Sequence, residues 1–476
     1  MVMGEFTQDS ELLVLGGGPG GYAAAFRAAD LGLDVTMVDM EGSPGGVCLY
    51  RGCIPSKALL FAAELLHDAG RAGEMGITFG EPRIDLDKLR SWKDAVIERL
   101  SRGLVELANR RGVQVLRGRA VFESSDRVRL TDSEISHIRF RHAVIATGSF
   151  IRPLPGVGFG KGGRIMGSTG ALRLQDIPRR LLVVGGGYVG VELGSVYASL
   201  GSRVTLVESS GRLLAGADGD LVRVLTGRLG ELFESIRLET SVRDLVELAD
   251  RVEVVFDGEA SSTRESFDRV LVAIGRTPSS PNLGLENTGV KTDARGFIEV
   301  DARRRTADER IYAVGDVTGG VMLAHKAMHE GKVAAEAIAG LDSAFDFQAI
   351  PAVVYTDPQI AWCGLTEDEA GKRNRPVKVS RFPWSASGRA LTMGVPKGLT
   401  KMILDPETER VLGVGIVGRE AGEMIAEGVL AVEMGALAED LALSMHPHPT
   451  LSESEEEAAE AFLGSSTHIL PQKKKR

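Results

Sequence analysis

One pattern restricts the fold of this chain more than any other: a strand, a glycine-rich turn, a helix, and a second strand that ends in an acid. A strand beginning near Glu11 leads into three spaced glycines, Gly16, Gly18 and Gly21. An alanine-rich helix follows, and the strand DVTMVD ends at Asp39. In such a unit the glycines allow a tight turn, close approach of a pyrophosphate and close helix packing, while the acid binds a ribose hydroxyl. Glycines alone also fit an ordinary loop, but the complete unit predicts a dinucleotide site.

The same pattern returns in LLVVGGGYVGVELGSVYASLGSRVTLVE, with Glu208 as its terminal acid. Its three glycines are Gly185, Gly187 and Gly190. An acid at this position favours the free 2′-hydroxyl of NAD and repels the 2′-phosphate of NADP. We therefore expect NAD, although Arg203 and Arg212 lie close to Glu208 in the sequence.

Two dinucleotide sites in one chain indicate a flavoprotein that relays electrons, with FAD at the first site and NAD at the second. Each unit closes with a similar apolar strand, at 142–149 and 269–278, which suggests duplicated domains with the second inserted within the first. A later strand, ERIYAVGDV, brings Asp316 to a position where it can accept hydrogen bonds from the ribityl hydroxyls of a flavin. The alternative for Asp316 is an N-cap of the next helix.

A cysteine pair, Cys48 and Cys53, follows the first unit in GGVCLYRGCIPSK. A zinc site needs about four ligands, and Cys363 is too distant in sequence to suggest one, so we predict no metal. Pro55 suits the first turn of a helix that begins near Cys53. The positive end of that helix and the nearby basic residues favour a thiolate, as expected of a redox pair.

Composition narrows the compartment and the partners. The 476-residue chain has a formal net charge of −9, which argues against general nucleic-acid binding. The N-terminus lacks the pattern of a secretory signal, and no apolar run reaches roughly 18 residues, so we expect neither export nor a membrane span. In the reducing cytoplasm that this indicates, a catalytic cysteine pair is favoured over a structural disulfide.

The cysteine motif after a flavin fingerprint resembles the pyridine nucleotide–disulfide oxidoreductases of the two-cysteine flavoprotein type, and the likeness extends over nearly the whole chain. Further segments resemble the dihydrolipoyl dehydrogenase branch of that family: FGEPRIDLDKLRSWK, VMLAHKAMHEG, FPWSASGRALT and HPHPTLSE. The resemblance implies reoxidation of dihydrolipoyl groups on a lipoylated carrier protein or 2-oxo-acid dehydrogenase complex. Electrons would pass through the cysteines and FAD to NAD, giving NADH.

The resemblance also assigns roles to individual residues. Cys53 would be the thiol in contact with the flavin, and Cys48 the thiol that exchanges with the lipoyl sulfur. Lys57 would reach the flavin N5 region, paired with Glu192, although the residues alone also allow a solvated helix lysine. Further cofactor contacts are implied at Thr147, Gly148, Gly275, Leu323, Ala324 and His325.

Oxidation of dihydrolipoamide needs a base, because a thiol with a pKa of about 8.5 is a weak nucleophile at neutral pH. Of eight histidines, His446 and His448 cluster in MHPHPTLSESEEE, and Glu453 follows. A carboxylate near an imidazole can fix its tautomer and raise its pKa. The stretch from Thr450 to Glu453 also fits a capping box, in which Glu453 only starts a helix. The resemblance favours a His448–Glu453 pair supplied across a homodimer interface, with a lesser role for His446.

The predicted fold class is α/β, with two Rossmann-like dinucleotide-binding domains, for FAD and NAD, plus an α+β C-terminal dimerisation domain. The predicted boundaries are 1–152 for the FAD domain, 153–278 for the NAD domain, 279–349 for a central domain that completes the FAD site, and 350–476 for the interface domain. The basic run at the C-terminus is expected to be solvated and mobile.

Some positions depart from the family pattern without removing a catalytic group. Tyr50 and Arg51 replace the usual Asn-Val, and Arg51 adds a cation that could stabilise a thiolate. Ser279-Ser280 stands where Asn is usual, and Gln359 where Glu is usual. These changes bear on carrier preference and redox tuning rather than on the reaction class.

The alternative function is a related FAD disulfide reductase that uses NAD(P)H to reduce a different disulfide. Glutathione reductase uses NADPH, against which Glu208 argues. Mercuric reductase needs a C-terminal cysteine pair, and no cysteine follows Cys363. The soluble transhydrogenase lacks the redox cysteines, and a non-catalytic flavin scaffold would not need the whole set of catalytic residues.

Overall fold

The computed structural model describes residues 7–159, 163–257 and 263–470. The basic run at 473–476 lies outside the described residues, as do residues 1–6 of the predicted FAD domain.

The first fingerprint lies in a seven-stranded sheet. The elements of this part of the chain are β1 (Thr7–Leu15), α1 (Pro19–Asp30), β2 (Val35–Asp39), α2 (Gly46–Arg51), α3 (Cys53–Arg71), α4 (Leu86–Arg110), β3 (Gln114–Arg117), β4 (Arg119–Ser124), β5 (Arg127–Thr131), β6 (His137–Ile145) and β7 (Ser149–Ile151). Strands β3, β2, β1 and β6 pair in parallel, and β5 and β4 extend the sheet in antiparallel fashion.

The second fingerprint lies in a five-stranded parallel sheet. The elements here are β8 (Ile165–Met166), α5 (Ser168–Leu172), β9 (Arg180–Val184), α6 (Tyr188–Ser199), β10 (Arg203–Val207), α7 (Gly219–Leu232), β11 (Ser235–Arg237), β12 (Ser241–Glu247), β13 (Val252–Asp257), β14 (Thr263–Phe267), β15 (Arg269–Val272) and β16 (Arg276–Pro278). The parallel sheet has the order β11-β10-β9-β15-β8, while β12, β13 and β14 form a separate antiparallel sheet. Strand β16 pairs with β7 and links the two nucleotide regions.

The chain then returns to the first sheet. Strand β17 (Ile311–Ala313) pairs in parallel with β6, and α8 (Ala324–Ile338) packs against α1. The second nucleotide unit is therefore inserted within the first, as the sequence predicts.

The C-terminal part has one antiparallel sheet, in the order β18-β19-β22-β21-β20. Its elements are β18 (Ala352–Val354), β19 (Gln359–Gly364), α9 (Glu367–Lys372), β20 (Lys378–Pro383), α10 (Gly388–Thr392), β21 (Leu399–Leu404), β22 (Val411–Gly418), α11 (Ala421–Met434), α12 (Ala438–Ala442) and α13 (Glu453–Leu463). Helices α11 and α13 pack on this sheet. The predicted fold class, two Rossmann-like units followed by an α+β unit, is confirmed.

The apolar core explains how these parts are held together. The strand segments 12–15 and 181–184 are almost completely buried, as expected for parallel strands covered on both faces. One apolar cluster combines Leu59 of α3, Leu193 of α6 and Ile360 of β19. It therefore fixes the helix that begins at Cys53 against the second nucleotide unit and the C-terminal sheet.

None of the described helices is both long enough and apolar enough to cross a membrane.

Candidate active site

The two glycine fingerprints have nearly the same geometry. Gly16 and Gly185 follow β1 and β9 with φ angles of 103° and 112°, in the region that favours glycine. A Cβ atom on Gly21 would lie 1.8 Å from the carbonyl oxygen of Gly16, and one on Gly190 would lie 2.0 Å from that of Gly185. Helices α1 and α6 therefore approach their strands as closely as only glycine permits.

The middle glycine of each fingerprint leaves space for a ligand. Within the described part of the chain, no atom beyond those of the adjoining residues lies within 4 Å of the Cβ position of Gly18 or Gly187. Each directly precedes a helix, whose first N–H groups have no partner within the helix and favour an anion. Both sites thus fit the pyrophosphate of a dinucleotide.

The terminal acids of the two fingerprints accept equivalent hydrogen bonds. Asp39 Oδ2 accepts a hydrogen bond from the Gly17 N–H, and Glu208 Oε2 from the Gly186 N–H, both at 2.7 Å. Burial raises the pKa of Glu208, but the N–H groups of Gly186 and Ser210 outweigh burial and lower it overall. Glu208 is therefore ionised at neutral pH.

The two arginines near Glu208 are directed to other carboxylates. Arg203 pairs with Glu234, and Arg212 pairs with Asp368. Because neither neutralises Glu208, the acid keeps its preference for a free 2′-hydroxyl.

A continuous cavity joins the first fingerprint to the cysteine pair. Its lining includes predicted site residues from several segments: Gly16, Gly18, Asp39, Cys48, Cys53, Lys57, Thr147, Gly148, Glu192, Asp316 and Ala324. This one cavity thus contains a glycine turn that suits a pyrophosphate, an acid that suits a ribose, and a pair of thiols. That combination fits FAD. A second cavity is lined by Gly185, Gly187, Glu208 and Gly275, which fits NAD.

The two cysteines differ in acidity. Cys48 lies on α2, Cys53 begins α3 as predicted, and both are free thiols. A hydrogen bond from Cys48 lowers the pKa of Cys53 to about 7, against the effect of burial and with help from the charge of Lys57. The same hydrogen bond and burial raise the pKa of Cys48. Cys53 is therefore the thiolate of the pair.

Lys57 is not the solvated helix lysine that the residues alone allow. Its Nζ lies 2.8 and 3.1 Å from the two carboxylate oxygens of Glu192, and 4.5 Å from the centre of the Tyr355 ring. Glu192 is buried on α6 and also accepts a hydrogen bond from the Tyr355 N–H. The ion pair therefore joins three parts of the chain beside Cys53.

The residues in the usual Asn-Val positions have local partners. Arg51 pairs with Glu41 and lines the cavity that holds the cysteines, and its support of a thiolate stays a prediction. The Tyr50 hydroxyl lies within hydrogen-bond distance of the hydroxyls of Ser43 and Ser101. Both side chains thus tie α2 to its surroundings.

Asp316 lies just beyond β17 and faces the first cavity. It accepts a hydrogen bond from Ser149, and Arg276 lies 3.8 Å away. The N-cap alternative is wrong, because α8 begins at Ala324 with Leu323 in the N-cap position.

Of the residues predicted at the start of α8, Ala324 lines the first cavity. The His325 ring is instead directed to the Pro351 carbonyl oxygen, 2.7 Å from its Nε2. Leu323 precedes the helix in extended conformation.

The predicted base and its acid are in contact. His448 Nδ1 lies 2.8 Å from Glu453 Oε1, and 74% of the His448 side chain is exposed. Glu453 Oε2 also accepts a hydrogen bond from the Thr450 N–H at 2.6 Å. Helix α13 nevertheless begins at Glu453 itself, with Ser452 in the N-cap position and no side-chain cap. The capping box is therefore not formed, and Glu453 contacts the imidazole of His448 from the first turn of α13. His448 does not line the cysteine cavity of its own chain.

The side chain of His446, which is only 7% exposed, lies in an ionic cluster. Its Nε2 lies 2.9 Å from Glu427, and its Nδ1 lies 2.8 Å from the Ser444 carbonyl oxygen and 3.3 Å from Glu456. The hydrogen bond to Glu427 is the main cause that raises the pKa of His446 to about 9. His446 is thus an imidazolium that ties the loop before His448 to α11 and α13.

Two residues with no predicted role line both cavities. Tyr188 and Arg276 belong to both linings, and Arg276 donates hydrogen bonds to Ser149. The position of Tyr188 directly after the glycine turn, and of Arg276 after the closing strand, is the signal that could have found them.

Comparison with known proteins agrees with this geometry. Residues 10–331 match the family described as pyridine nucleotide-disulphide oxidoreductase, and residues 350–459 match its dimerisation domain. Dihydrolipoyl dehydrogenase of Thermus scotoductus is 47% identical over 463 residues, covering 97% of this chain and 99% of the relative. The same enzyme of Haemophilus influenzae is 45% identical over 462 residues, covering 97% and 96%.

Among solved structures, LpdA of Mycobacterium tuberculosis superimposes with a TM-score of 0.87 at 27% identity, covering 95% of this chain and 99% of that chain. The HOCl-induced flavoprotein disulfide reductase RclA of Escherichia coli, as a Cu(II) complex, gives a TM-score of 0.84 at 27% identity with the same coverage. The chain therefore belongs to the pyridine nucleotide-disulphide oxidoreductase family and, within it, to the dihydrolipoyl dehydrogenases.

Proposed function

We propose that this chain oxidises dihydrolipoyl groups on a carrier protein through the Cys48–Cys53 pair and reduces NAD. The observation that carries the proposal is the thiol pair in the same cavity as the first dinucleotide fingerprint, with the pKa of Cys53 lowered. The balance is one dithiol and NAD⁺ giving one disulfide, NADH and a proton. When bound, FAD supplies a two-electron acceptor between the thiols and the nicotinamide.

The roles of the residues follow from their positions. With Cys48 and Cys53 joined as a disulfide, a substrate thiolate attacks Cys48 and releases Cys53 as the thiolate. The second substrate thiol then displaces Cys48 and leaves as lipoyl disulfide. Lys57 holds positive charge beside Cys53, and Glu192 keeps that ammonium in place.

His448 takes the substrate protons as general base, and Glu453 orients it and stabilises the imidazolium. We assign this pair to the active site of a second copy in a homodimer. Two observations support the assignment: His448 is exposed and apart from its own cysteine cavity, and residues 350–459 match a dimerisation domain.

Three further predictions belong to this proposal. The carrier is a lipoylated protein, such as that of a 2-oxo-acid dehydrogenase complex. The enzyme works in the cytoplasm. The domains divide at residues 152, 278 and 349.

The direct test is a steady-state assay of the purified, FAD-loaded enzyme with dihydrolipoamide and with lipoylated carriers. NAD should be reduced, and NADP should be a poor substitute. If the enzyme turns over only with NADPH and a disulfide other than lipoyl, the alternative disulfide reductase is correct.

Subunit mixing tests the shared active site. Cys48→Ser and His448→Gln should each be inactive as homodimers, the latter reduced by roughly 10²–10⁴-fold for loss of a general base. A heterodimer of the two has one site with both defects and one with neither, so activity should return. If mass spectrometry shows exchanged subunits and activity stays absent, the base acts within its own chain.

A further inference from the structure

A buried lysine occupies a cluster of carboxylates between the second nucleotide region and the C-terminal sheet. Lys401 of β21 is completely buried, and its Nζ lies 2.9, 3.0 and 2.7 Å from Asp218, Asp220 and Glu367. Oxygens of these three acids lie within 4.8 Å of one another, a spacing that suits a metal ion, but the ammonium already lies among them. Burial lowers the pKa of Lys401, but the hydrogen bonds to Glu367 and Asp218 outweigh it and raise the pKa overall.

The cluster connects two parts of the chain. Asp218 precedes α7 and Asp220 lies in its first turn, whereas Glu367 begins α9 in the C-terminal part. Asp218 also accepts hydrogen bonds at 3.0 Å from the N–H groups of Glu367 and Asp368, at the start of α9. Arg381 of β20 adds a second cation, bonded to Asp220 at 2.9 Å and to Glu367. Removing the Lys401 ammonium leaves the buried carboxylate of Asp218 without its cation and leaves only Arg381 to compensate the partly exposed Asp220 and Glu367.

The loop that leads into this cluster, residues 209–217, also shapes the NAD site. It directly follows Glu208. The Leu214 N–H donates to the Gly186 carbonyl oxygen at 3.0 Å, and the Leu213 side chain packs where a Cβ on Gly186 would lie. Arg212 extends from the same loop to Asp368 of α9. The loop is therefore held between the second fingerprint and the C-terminal part.

We propose that Lys401 is a positioning residue for NAD binding. By holding Asp218, Asp220 and Glu367 together, it keeps loop 209–217 against the second fingerprint and keeps Glu208 aimed into the cavity. The C-terminal part thus contributes to the nucleotide site without touching it. This inference rests on the NAD site of the proposed function.

The test is Lys401→Met in the oxidised, FAD-loaded dimer, with the dissociation constant of NAD⁺, which cannot reduce the flavin, measured by calorimetry beside the steady-state constants. The dissociation constant and the KM for NAD should rise by about 10-fold or more, because displaced binding groups lose affinity steeply. The flavin spectrum and the KM for dihydrolipoamide should stay as in the wild type. A purely structural lysine would lower the melting temperature and leave the nucleotide constants unchanged.

Arg212→Met is the second variant, for the case in which Lys401→Met does not fold. It removes the partly exposed ion pair between the loop and Asp368. The nucleotide dissociation constant and the KM for NAD should each rise a few-fold. Arg375→Met is the matched control, because it breaks an ion pair with Asp405 inside the C-terminal part. Its nucleotide constants should not change.

The outcomes separate this inference from the proposed function. If the wild type binds NAD⁺ and both Arg212→Met and any folded Lys401→Met bind it equally well, the positioning role is wrong and the proposed function stands. If the wild type itself binds no NAD⁺, both fail.

Discussion

The two nucleotide sites share a backbone turn and differ in what lies over it. At the first site, a Cβ on Gly46 would lie 2.5 Å from the Cα of Gly18, so the start of α2 rests directly on the glycine turn. At the second site, the Leu213 side chain of loop 209–217 takes the neighbouring position, beside Gly186. The same motif is thus covered by a cysteine-bearing helix at the first site and by a leucine of a mixed polar and apolar loop at the second.

The two cavities also differ in which parts of the chain form their walls. The first cavity takes residues from the first sheet, from Glu192 of the second unit and from the returning segment around Asp316. The second cavity is lined by residues between 151 and 276. A site closed by several parts of a chain suits a resident flavin, and a site formed mainly by the second unit, with only Ile151 and Arg152 from the first, suits a nucleotide that comes and goes. The fingerprint therefore specifies a dinucleotide, and its surroundings specify the chemistry.

Substituting either cysteine should give the largest difference in effect between the reactions that use the first site and those that use the second. Cys53→Ser or Cys48→Ser should reduce dihydrolipoamide-dependent NADH formation by on the order of 10³-fold or more, as loss of an attacking group does. NADH oxidation by ferricyanide should persist, because it needs only the flavin and the second site. Stopped-flow and steady-state assays of both reactions measure this, and loss of both reactions in a flavin-loaded variant would contradict the separation.

Replacing the third glycine of either fingerprint should impair one nucleotide site at a time. Gly190→Ala should weaken NADH binding by roughly 5- to 150-fold, for an overpacking cost of about 1–3 kcal/mol, while the enzyme keeps its flavin. Gly21→Ala should lower the flavin content instead. Gly227→Ala is the control, because Gly227 lies on the exposed face of α7 and its Cβ position has no described atom within 4 Å beyond its own stretch of helix. Loss of flavin from Gly190→Ala would show that the two sites are not independent.

The terminal acids should differ in their effect on the choice of nucleotide. Glu208→Ala should narrow the ratio of kcat/KM for NAD over NADP by roughly 5- to 30-fold, for a charge repulsion of about 1–2 kcal/mol against the 2′-phosphate. Asp39→Ala, measured on whatever enzyme retains flavin, should leave that ratio unchanged. Equal ratios for wild type and Glu208→Ala would remove Glu208 as the determinant.

The smallest expected effect is a shift, at the first site, of the pH at which Cys53 is half ionised. Because the pKa of Cys53 is lowered to about 7, its thiolate in the reduced enzyme should persist above that pH and be protonated as the pH falls below it. Cys48→Ala should move the midpoint upward, since the hydrogen bond from Cys48 is the largest cause, and Lys57→Met should move it upward by less. The rate of alkylation by iodoacetamide against pH reports the midpoint, and a midpoint unaltered in both variants would contradict this account.

Much of this protein follows from its sequence alone. Both fingerprints, their acids and the helix beginning at Cys53 are local patterns, set by backbone sterics, helix capping and the period of apolar residues over short stretches. The insertion of one unit in the other also follows from two similar closing strands and a later strand with an acid near its end. The roles of His448 and Glu453 needed the family resemblance, because the same residues also fit a capping box.

Only the tertiary structure decides which distant side chains meet. The ion pair of Lys57 and Glu192, which the resemblance implied, gains the Tyr355 ring from a third part of the chain. Arg51, which lines the cysteine cavity, pairs there with Glu41. Lys401 meets Asp218 across a boundary between two parts of the chain. Local patterns are silent on such contacts, because they depend on how separate sheets pack through a shared apolar core, and no short stretch of sequence contains that arrangement.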